Sequence, residues 1–414
     1  MAKQPLGSAW TRLITRRLST LTRAALRSST RAATQAIRQA SKAAKPIKLA
    51  KPIKPIKPAK LIKLAKPRPL ARPPSPGKAA KTTKTTKTSK IAPAADPTAG
   101  SGSWTTGVAM GAAGARRYAV FKPAGVARSE RLPLLVLLHG CTQDAAGFAR
   151  STGMNRLATR QRCLVLYPEQ DRLAQPQGCW NWFATRHGRA QAEATLLLQA
   201  IEQVCSSQPV DRSRVAVAGL SAGASMAAML VTLQPQRFCA LLMHSGIAPG
   251  TADSTLSALR AMRGRRPTAA LAATPAAMAS SWPPLLVIHG SHDTVVAPSN
   301  GAAAAQAWAT AASAEAGPAR TVQRGQRRAM TVTDYHCRSR NGQPRRSVAT
   351  LVLVAGMGHA WSGGAAGQPF SDPTGPDASR QLWAFAAKQF RDKVHTPAAT
   401  PSRGTLPRLA KPRL

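Results

Sequence analysis

One short stretch of sequence decides the fold class of this chain. Residues 215–223 read VAVAGLSAG, and residues 224–233 continue as ASMAAMLVTL. An apolar run is followed by a turn of small residues and then by a helical pattern, which is the context that a G-x-S-x-G nucleophile elbow requires. Ser221 would lie at the helix N-terminus, where backbone N–H groups favour developing negative charge. The stretch therefore predicts that Ser221 is a nucleophile and not part of an ordinary turn.

Strands and helices alternate on both sides of this stretch. The alternation predicts a mostly parallel central sheet with helices on both faces, and the run Leu134–Leu138 is apolar throughout, as a strand covered on both faces should be. Residues 247–283 are rich in Ala, Pro and Arg and poorly patterned, so we expect an insertion or a cap over the sheet edge. The predicted strands are Arg117–Phe121, Leu134–Leu138, Leu164–Tyr167, Val215–Ala218, Ala240–His244, Leu285–Ile288 and Ala349–Val354, and the predicted helices are Ala190–Val204, Ser221–Leu233, Asn300–Ala312 and Asp377–Phe390.

A nucleophilic hydroxyl needs a base, and the base needs a group that orients it. Asp293 follows an apolar strand, where an orienting carboxylate belongs, and His359 lies in a glycine-flanked loop that can reach back to Ser221. The order Ser, Asp, His is that of the α/β-hydrolase fold, which we therefore predict. His359 would take the Ser221 proton, and Asp293 would fix its tautomer. Two histidines compete for the role of base: His289 ends a buried strand and is interpreted as structural, and His292 is a poor partner for the neighbouring carboxylate.

An oxyanion hole is the remaining requirement for acyl transfer. The loop after the strand Leu134–Leu138 offers the backbone N–H of Cys141, and the elbow offers that of Ala222. His139 lies in the same loop and is interpreted as bracing it.

No cofactor or metal site is expected. The sequence has no dinucleotide-binding or phosphate-binding glycine motif that stands out. Cys163, Cys205, Cys239 and Cys337 do not have the spacing of metal ligands.

Charge is concentrated in the first hundred residues. The 414-residue chain carries 59 Lys and Arg against 15 Asp and Glu, a net charge of +44, and residues 1–100 hold one acid and one aromatic side chain. A segment of this composition cannot bury enough apolar surface to offset its chain entropy. We predict a disordered arm over residues 1–103 with a basic amphipathic helix near 10–27, a catalytic domain over 104–393 and a basic tail over 394–414.

Lysine recurs at every third position within the arm, from Lys42 to Lys66 and again from Lys78 to Lys90. Prolines interrupt any α-helix there, whereas a polyproline II helix with three residues per turn would align the lysines along one edge. One hypothesis is an extended cationic surface for DNA or RNA, bound through phosphates. The alternative is a low-complexity tether whose charge matters little.

Six blocks of sequence together resemble the polyhydroxybutyrate (PHB) depolymerase family of esterases. The similarity covers roughly residues 104–390, and the blocks follow one another in the family's order. They are LLHGCTQ (137–143), YPEQ (167–170), GCWNWF (178–183), GLSAG (219–223), GHAWSGG (358–364) and SDPTGPDAS (371–379).

The resemblance implies an α/β-hydrolase fold, serine esterase activity on polyester, oligomeric hydroxyalkanoate or short-chain esters, and a triad of Ser221, Asp293 and His359. It places Cys141 and Cys179 near one another beside the active site, as candidates for a disulfide. Aromatic residues near the expected cleft could line an acyl-binding wall or belong to the core; they are Trp180, Trp182 and Trp361.

Other readings of the function and location stay open. The family is similar to feruloyl and acetylxylan esterases, so such esters on plant polysaccharide are an alternative substrate. A reading of another class makes the chain a tether that binds nucleic acid or a storage-granule surface through the arm. Arg23 and Arg27 interrupt any apolar signal-peptide region, which favours the cytoplasm, whereas the resemblance to secreted depolymerases favours export. No apolar run is long enough for a membrane span.

Overall fold

The computed structural model describes residues 100–265, 281–337 and 346–394. The expected amphipathic helix near 10–27, the lysine rows and almost all of the basic tail lie outside the described residues. So does the middle of the expected cap, residues 266–280.

A single large sheet forms the centre of the described part of the chain. Six neighbouring strands are parallel, in the order β4-β3-β5-β6-β7-β11, and antiparallel strands extend the sheet at both ends. The strands are β1 (Gly102–Gly111), β2 (Gly114–Pro123), β3 (Leu132–Leu138), β4 (Leu164–Pro168), β5 (Val210–Leu220), β6 (Ala240–His244), β7 (Leu285–Gly290), β8 (Ala314–Ala316), β9 (Arg320–Val322), β10 (Met330–Cys337) and β11 (Ser347–Val354), and a separate pair is formed by β12 (Trp361–Ser362) and β13 (Ser371–Asp372).

Helices cover both faces of this sheet. Helices α3, α4 and α6 pack on one face and helices α1, α2 and α7 on the other, so that the core is divided into two clusters. The helices are α1 (Ala145–Thr152), α2 (Met154–Gln161), α3 (Arg189–Ser207), α4 (Ala222–Leu233), α5 (Thr255–Met262), α6 (Ser299–Ala311) and α7 (Ala378–Val394), with a 3-10 turn at Pro235–Arg237.

The central strand β5 explains why the sheet has two cores. Val215 and Val217 belong to one cluster, and Ala216 and Ala218 belong to the other, because successive side chains of a strand point to opposite faces. All four residues are buried. Ser221 follows the C-terminal end of this strand and so lies at the edge of the central part of the sheet.

The predicted α/β-hydrolase fold is confirmed, and each predicted strand and helix of the body lies within or beside an observed one. The observed elements that were not predicted are the strands β1, β8, β9, β10, β12 and β13 and the short helices α1, α2 and α5. Strand β1 is mostly exposed, so it has no apolar run to mark it. It begins at Gly102, slightly before the expected start of the catalytic domain. Of the expected cap, the described part contains the whole of α5.

Candidate active site

The turn between β5 and α4 holds Ser221 in a strained backbone conformation. Its φ is 57° and its ψ is −121°, a backbone conformation that residues other than glycine rarely adopt. The backbone N–H of Ser221 donates to the carbonyl oxygen of His244 at 2.8 Å. A Cβ on Gly219 would lie 2.3 Å from the Gly223 carbonyl carbon, and a Cβ on Gly223 would lie 2.2 Å from the Leu138 oxygen. The two glycines of the motif are therefore required for close packing of the helix on the strands.

Asp293 and His359 meet although 66 positions separate them in sequence. The Nδ1 atom of His359 lies 2.7 Å from Oδ2 of Asp293. The other carboxylate oxygen, Oδ1, accepts from the backbone N–H groups of Val295 at 3.0 Å and Val296 at 2.8 Å. Because Nδ1 of His359 donates to the carboxylate, its Nε2 is left to act as a base.

Asp293 also contacts His289, so two imidazoles share one carboxylate oxygen. The Nε2 of His289 is 3.3 Å from Oδ2 of Asp293 and 2.9 Å from the oxygen of Val296. Burial alone would raise the pKa of Asp293, but hydrogen bonds from His289 and His359 outweigh it and lower that pKa well below its usual range. The carboxylate is thus ionised at neutral pH.

A cavity of about 380 Å³ contains both Ser221 and His359 in its wall. The expected oxyanion donors Cys141 and Ala222 line the same cavity. No lysine, arginine or acidic side chain is found among the described residues of its wall. Apolar side chains predominate there, including Trp180, Trp182, Phe183, Leu220, Ile247 and Leu259.

The loop that carries Cys141 is fixed at several points. Cys141 and Cys179 are joined by a disulfide with a sulfur–sulfur distance of 2.06 Å. The N–H of Gly140 donates to Oε1 of Gln143 at 2.9 Å, and the N–H of Thr142 donates to the oxygen of Gln177 at 2.7 Å. Because both neighbours of Cys141 are held, the direction of its own amide is set by the loop.

A buried ion pair lies behind this loop, and the sequence analysis did not find it. Arg116 and Glu193, whose side chains are 4% and 6% exposed, form an ion pair at 3.1 Å. Glu193 also accepts from the backbone N–H of Asn181 at 2.7 Å, and the side-chain amide of Gln170 bonds both Arg116 and Glu193. Gln170 donates in addition to the oxygen of Cys179 at 2.9 Å. Only the tertiary fold brings these residues together, from β2, α3 and two loops.

Two further buried histidines brace loops of the site. The Nε2 of His139 accepts from the N–H of Gln170 at 3.1 Å, which supports the interpretation that it braces its loop. His244, which the sequence analysis did not single out, accepts at Nε2 from the N–H of Ser362 at 3.0 Å. Burial lowers the pKa of His139 to about 4 and that of His244 to about 3. Both imidazoles are therefore neutral acceptors at neutral pH.

The three tryptophans expected near the cleft do not share one role. Trp180 and Trp182 line the cavity of Ser221. Trp361 does not, so of the two roles considered for it the core role applies and the substrate-binding role does not. Its ring is completely buried, stacks on His244 and meets Phe148 edge-to-face, because it belongs to the core on the other face of the sheet.

In the three described ranges, no group of three or more His, Cys, Asp or Glu side chains could hold a metal ion. Among the helices of the same ranges, none is long and apolar enough to cross a bilayer.

Comparison with known proteins gives a family for most of this domain. The family described as esterase PHB depolymerase matches residues 116–327. Poly(3-hydroxyalkanoate) depolymerase C of Paucimonas lemoignei is 32% identical over 193 residues, which are 44% of this chain and 45% of that protein. Acetylxylan esterase A of Talaromyces purpureogenus is 25% identical over 227 residues, which are 51% and 57% of the two chains. The chain thus spans about half the length of these curated relatives.

A solved structure resembles the chain over a longer stretch. The acetyl xylan esterase from Aspergillus awamori has a TM-score of 0.49 and 18% identity, with 69% of this chain and all of that chain covered.

Proposed function

Because this chain belongs to the esterase PHB depolymerase family, we propose that it is a serine carboxylic ester hydrolase with Ser221, His359 and Asp293 as its triad. The observation that carries the proposal is the 2.7 Å contact between His359 and Asp293, combined with the position of Ser221 and His359 in the wall of one cavity. Poly(3-hydroxyalkanoate) depolymerase and acetylxylan esterase relatives support the class of reaction.

In the proposed mechanism, the Oγ of Ser221 attacks the acyl carbon of the ester while Nε2 of His359 takes its proton. The ionised Asp293 holds the resulting imidazolium. The backbone N–H groups of Cys141 and Ala222 donate to the oxyanion, a contribution of roughly 3–4 kcal/mol for each donor. His359 then protonates the leaving alcohol. In the second half of the reaction, His359 takes a proton from water, which attacks the acyl-enzyme, and returns that proton to the Oγ of Ser221 as the acid leaves.

Replacement of the nucleophile tests the proposal. We expect Ser221→Ala to lower the rate of p-nitrophenyl butyrate hydrolysis by at least 10⁴-fold, as loss of a triad member does in general, with the unfolding transition retained. Ser129→Ala, at an exposed serine, is the matched control and should keep full activity. Hydrolysis by Ser221→Ala at the wild-type rate would contradict the assignment.

For the substrate, we propose a neutral acyl group of polyester, oligomeric hydroxyalkanoate or a short-chain ester. The apolar wall of the cavity, without acidic or basic side chains among its described residues, supports a neutral chain. Acetyl or feruloyl esters on polysaccharide are the second candidate, supported by the acetylxylan esterase relatives. Initial rates on soluble hydroxybutyrate oligomers, PHB film and acetylated xylan separate the two.

For the basic segment, we propose that it tethers the catalytic domain to a polyanion such as DNA or RNA, or to a storage-granule surface. Its support is the charge of residues 1–100, with 24 basic residues against one acid. Removal of residues 1–99 should leave hydrolysis of soluble esters unchanged and abolish adsorption to DNA and to granules at low salt. Adsorption that survives the deletion would exclude the segment as the tether.

For location, we propose an oxidising compartment outside the cytoplasm. The Cys141–Cys179 disulfide supports it, because disulfides are rare in the cytosol. Alkylation of free thiols followed by mass spectrometry on protein from its native host checks this: two free thiols at these positions would favour the cytoplasm instead.

A further inference from the structure

A second cavity, larger than that of Ser221, is found elsewhere in the described part of the chain. Its volume is about 720 Å³, and it shares no lining residue with the cavity of Ser221. Helix α7 forms one wall, and strands β9, β10 and β11 with the loop after β9 form the other. Five arginines line it: Arg320, Arg324, Arg327, Arg328 and Arg380.

Carboxylates neutralise three of these arginines. Each of the three guanidinium groups forms an ion pair with one aspartate. The pairs are Arg320 with Asp334 at 2.5 Å, Arg328 with Asp372 at 3.0 Å and Arg380 with Asp377 at 3.3 Å.

The other two arginines leave an excess of positive charge. Nη1 of Arg327 donates to the carbonyl oxygens of Pro373 at 3.2 Å and Gly375 at 2.6 Å, which position the guanidinium without neutralising it. Arg324 is exposed, and no carboxylate of the described ranges forms an ion pair with it. A ligand that meets this cavity therefore meets unpaired cationic donors.

The floor of the cavity is apolar. Apolar side chains line it from strands β7, β9, β10 and β11 and from helix α7, and they belong to or pack against the core cluster on this face of the sheet. They include Leu286, Val322, Met330, Val332, Val352 and Phe385. Cationic donors above a hydrocarbon floor match a ligand with an anionic head and an apolar chain.

Gln381 adds a second indication of a missing acceptor. It lines the cavity from α7, and its side-chain nitrogen is shielded from solvent and has no hydrogen-bond partner in the described part of the chain. A buried donor without a partner is destabilising, and rotation of this amide toward a bound anion would provide one.

We propose that this cavity binds a carboxylate carried on a short hydrocarbon chain. The carboxylate is held by Arg324 and Arg327, since arginine suits the two oxygens of a carboxylate, and the chain lies on the apolar floor. The volume is in the range of small-molecule sites. A nucleic-acid phosphate would leave that floor unused. Such carboxylates are free fatty acids or the acids released by ester cleavage, and the second source rests on the proposed function.

Calorimetric titration of the full chain with octanoate tests the site. We expect saturable binding of one equivalent at the cavity, at least tenfold weaker in Arg324→Gln and of intermediate affinity in Arg324→Lys, which keeps the charge but loses the two-pronged donor. Arg128→Gln, at an exposed arginine elsewhere, is the matched control and should bind as the wild type does. Octanol, with the same chain and no charge, should show no saturable binding.

Binding at the active site must be distinguished from binding here. Leu259→Trp introduces a bulky side chain at the cavity of Ser221 and should leave octanoate binding unchanged. A loss of affinity in Leu259→Trp without one in Arg324→Gln would overturn the proposal, as would equal affinity for octanol.

The source of the ligand is read from a second titration. Tighter binding of 3-hydroxyoctanoate than of octanoate indicates a product of ester cleavage, and the reverse order indicates a free fatty acid. Octanoate binding should persist in Ser221→Ala, so failure of the proposed triad and failure of this site give different results.

Discussion

At the scale of single residues, the geometry around Ser221 depends on backbone positions that few side chains tolerate. The positive φ of Ser221 is a strained conformation. Two backbone hydrogen bonds maintain it: the N–H of Ser221 donates to the carbonyl oxygen of His244, and the N–H of Ser225 donates to the carbonyl oxygen of Ser221 at 3.1 Å. His244 in turn accepts from Ser362, in the loop that carries His359. His244 thus connects the proposed nucleophile, through its backbone oxygen, to the loop of the proposed base, through its side chain.

The carboxylate of Asp293 gives a prediction at this scale. In Asp293→Asn, an amide replaces a charged acceptor of the same shape, so His359 loses the partner that fixes its tautomer. We expect kcat to fall by about 10⁴-fold with KM little changed. Steady-state kinetics on p-nitrophenyl butyrate checks this, with Asp377→Asn as control, at a half-buried carboxylate that pairs with Arg380 and does not line the cavity of Ser221. A loss of less than tenfold would remove Asp293 from the proposed triad.

At the scale of elements, the cavity wall depends on a contact between β2, α3 and two loops. Arg116 comes from β2 and Glu193 from α3, and Gln170 connects both to the loop of Cys179. The guanidinium of Arg116 also lies 5.4 Å from the centre of the Trp180 ring, which lines the cavity. These contacts position the disulfide-linked loops that carry the proposed oxyanion donor Cys141.

Glu193→Gln tests this positioning role. Removing one charge of a buried pair leaves the other unpaired, so we expect the free energy of unfolding to fall by about 3–5 kcal/mol. We also expect kcat to fall roughly tenfold, because loss of a single oxyanion donor costs about 10²–10³-fold and this change displaces the donor without removing it. Urea unfolding and kcat measure the two effects.

Glu202→Gln is the control on the same helix. Glu202 pairs with Arg212 and Arg237, and these side chains are 38–50% exposed, so its loss should cost less than about 1 kcal/mol and leave kcat unchanged. An unchanged kcat in Glu193→Gln would show that the buried pair supports the fold alone.

At the scale of the whole molecule, the buried neutral histidines connect stability to pH. The pKa of His139 is lowered to about 4 in the folded chain, below the value of about 6.5 for an exposed imidazole. Between these values the unfolded chain binds more protons than the folded chain, so acid favours unfolding. The stabilising contribution is complete above about pH 6.5 and is lost as the pH falls to about 4.

We expect the free energy of unfolding to decrease steadily between pH 6.5 and 4, by about 3 kcal/mol for His139 alone. Urea unfolding at several pH values measures the slope, which should be smaller in His139→Gln. The slope of His292→Gln, at an exposed histidine, should equal that of the wild type. Equal slopes in all three proteins would exclude His139 as a source of the acid sensitivity.

The sequence by itself determined the fold class and the identity of the candidate triad. An apolar strand, a turn of small residues and a helical pattern at Ser221 are local signals, and the order of Asp293 and His359 after it follows from the ends of two later strands. Strands without an apolar run, such as β1, left no comparable signal and were missed.

Only the tertiary structure decided which distant side chains meet. The contact of His289 with Asp293, the pair of Arg116 with Glu193, the assignment of Trp361 to the core and the arginine-lined cavity all join segments far apart in the chain. Local periodicity reports which face of an element is buried, but it carries no information about the partner across that face. That partner is set by sheet order and by helix packing, which arise only when the whole domain is assembled.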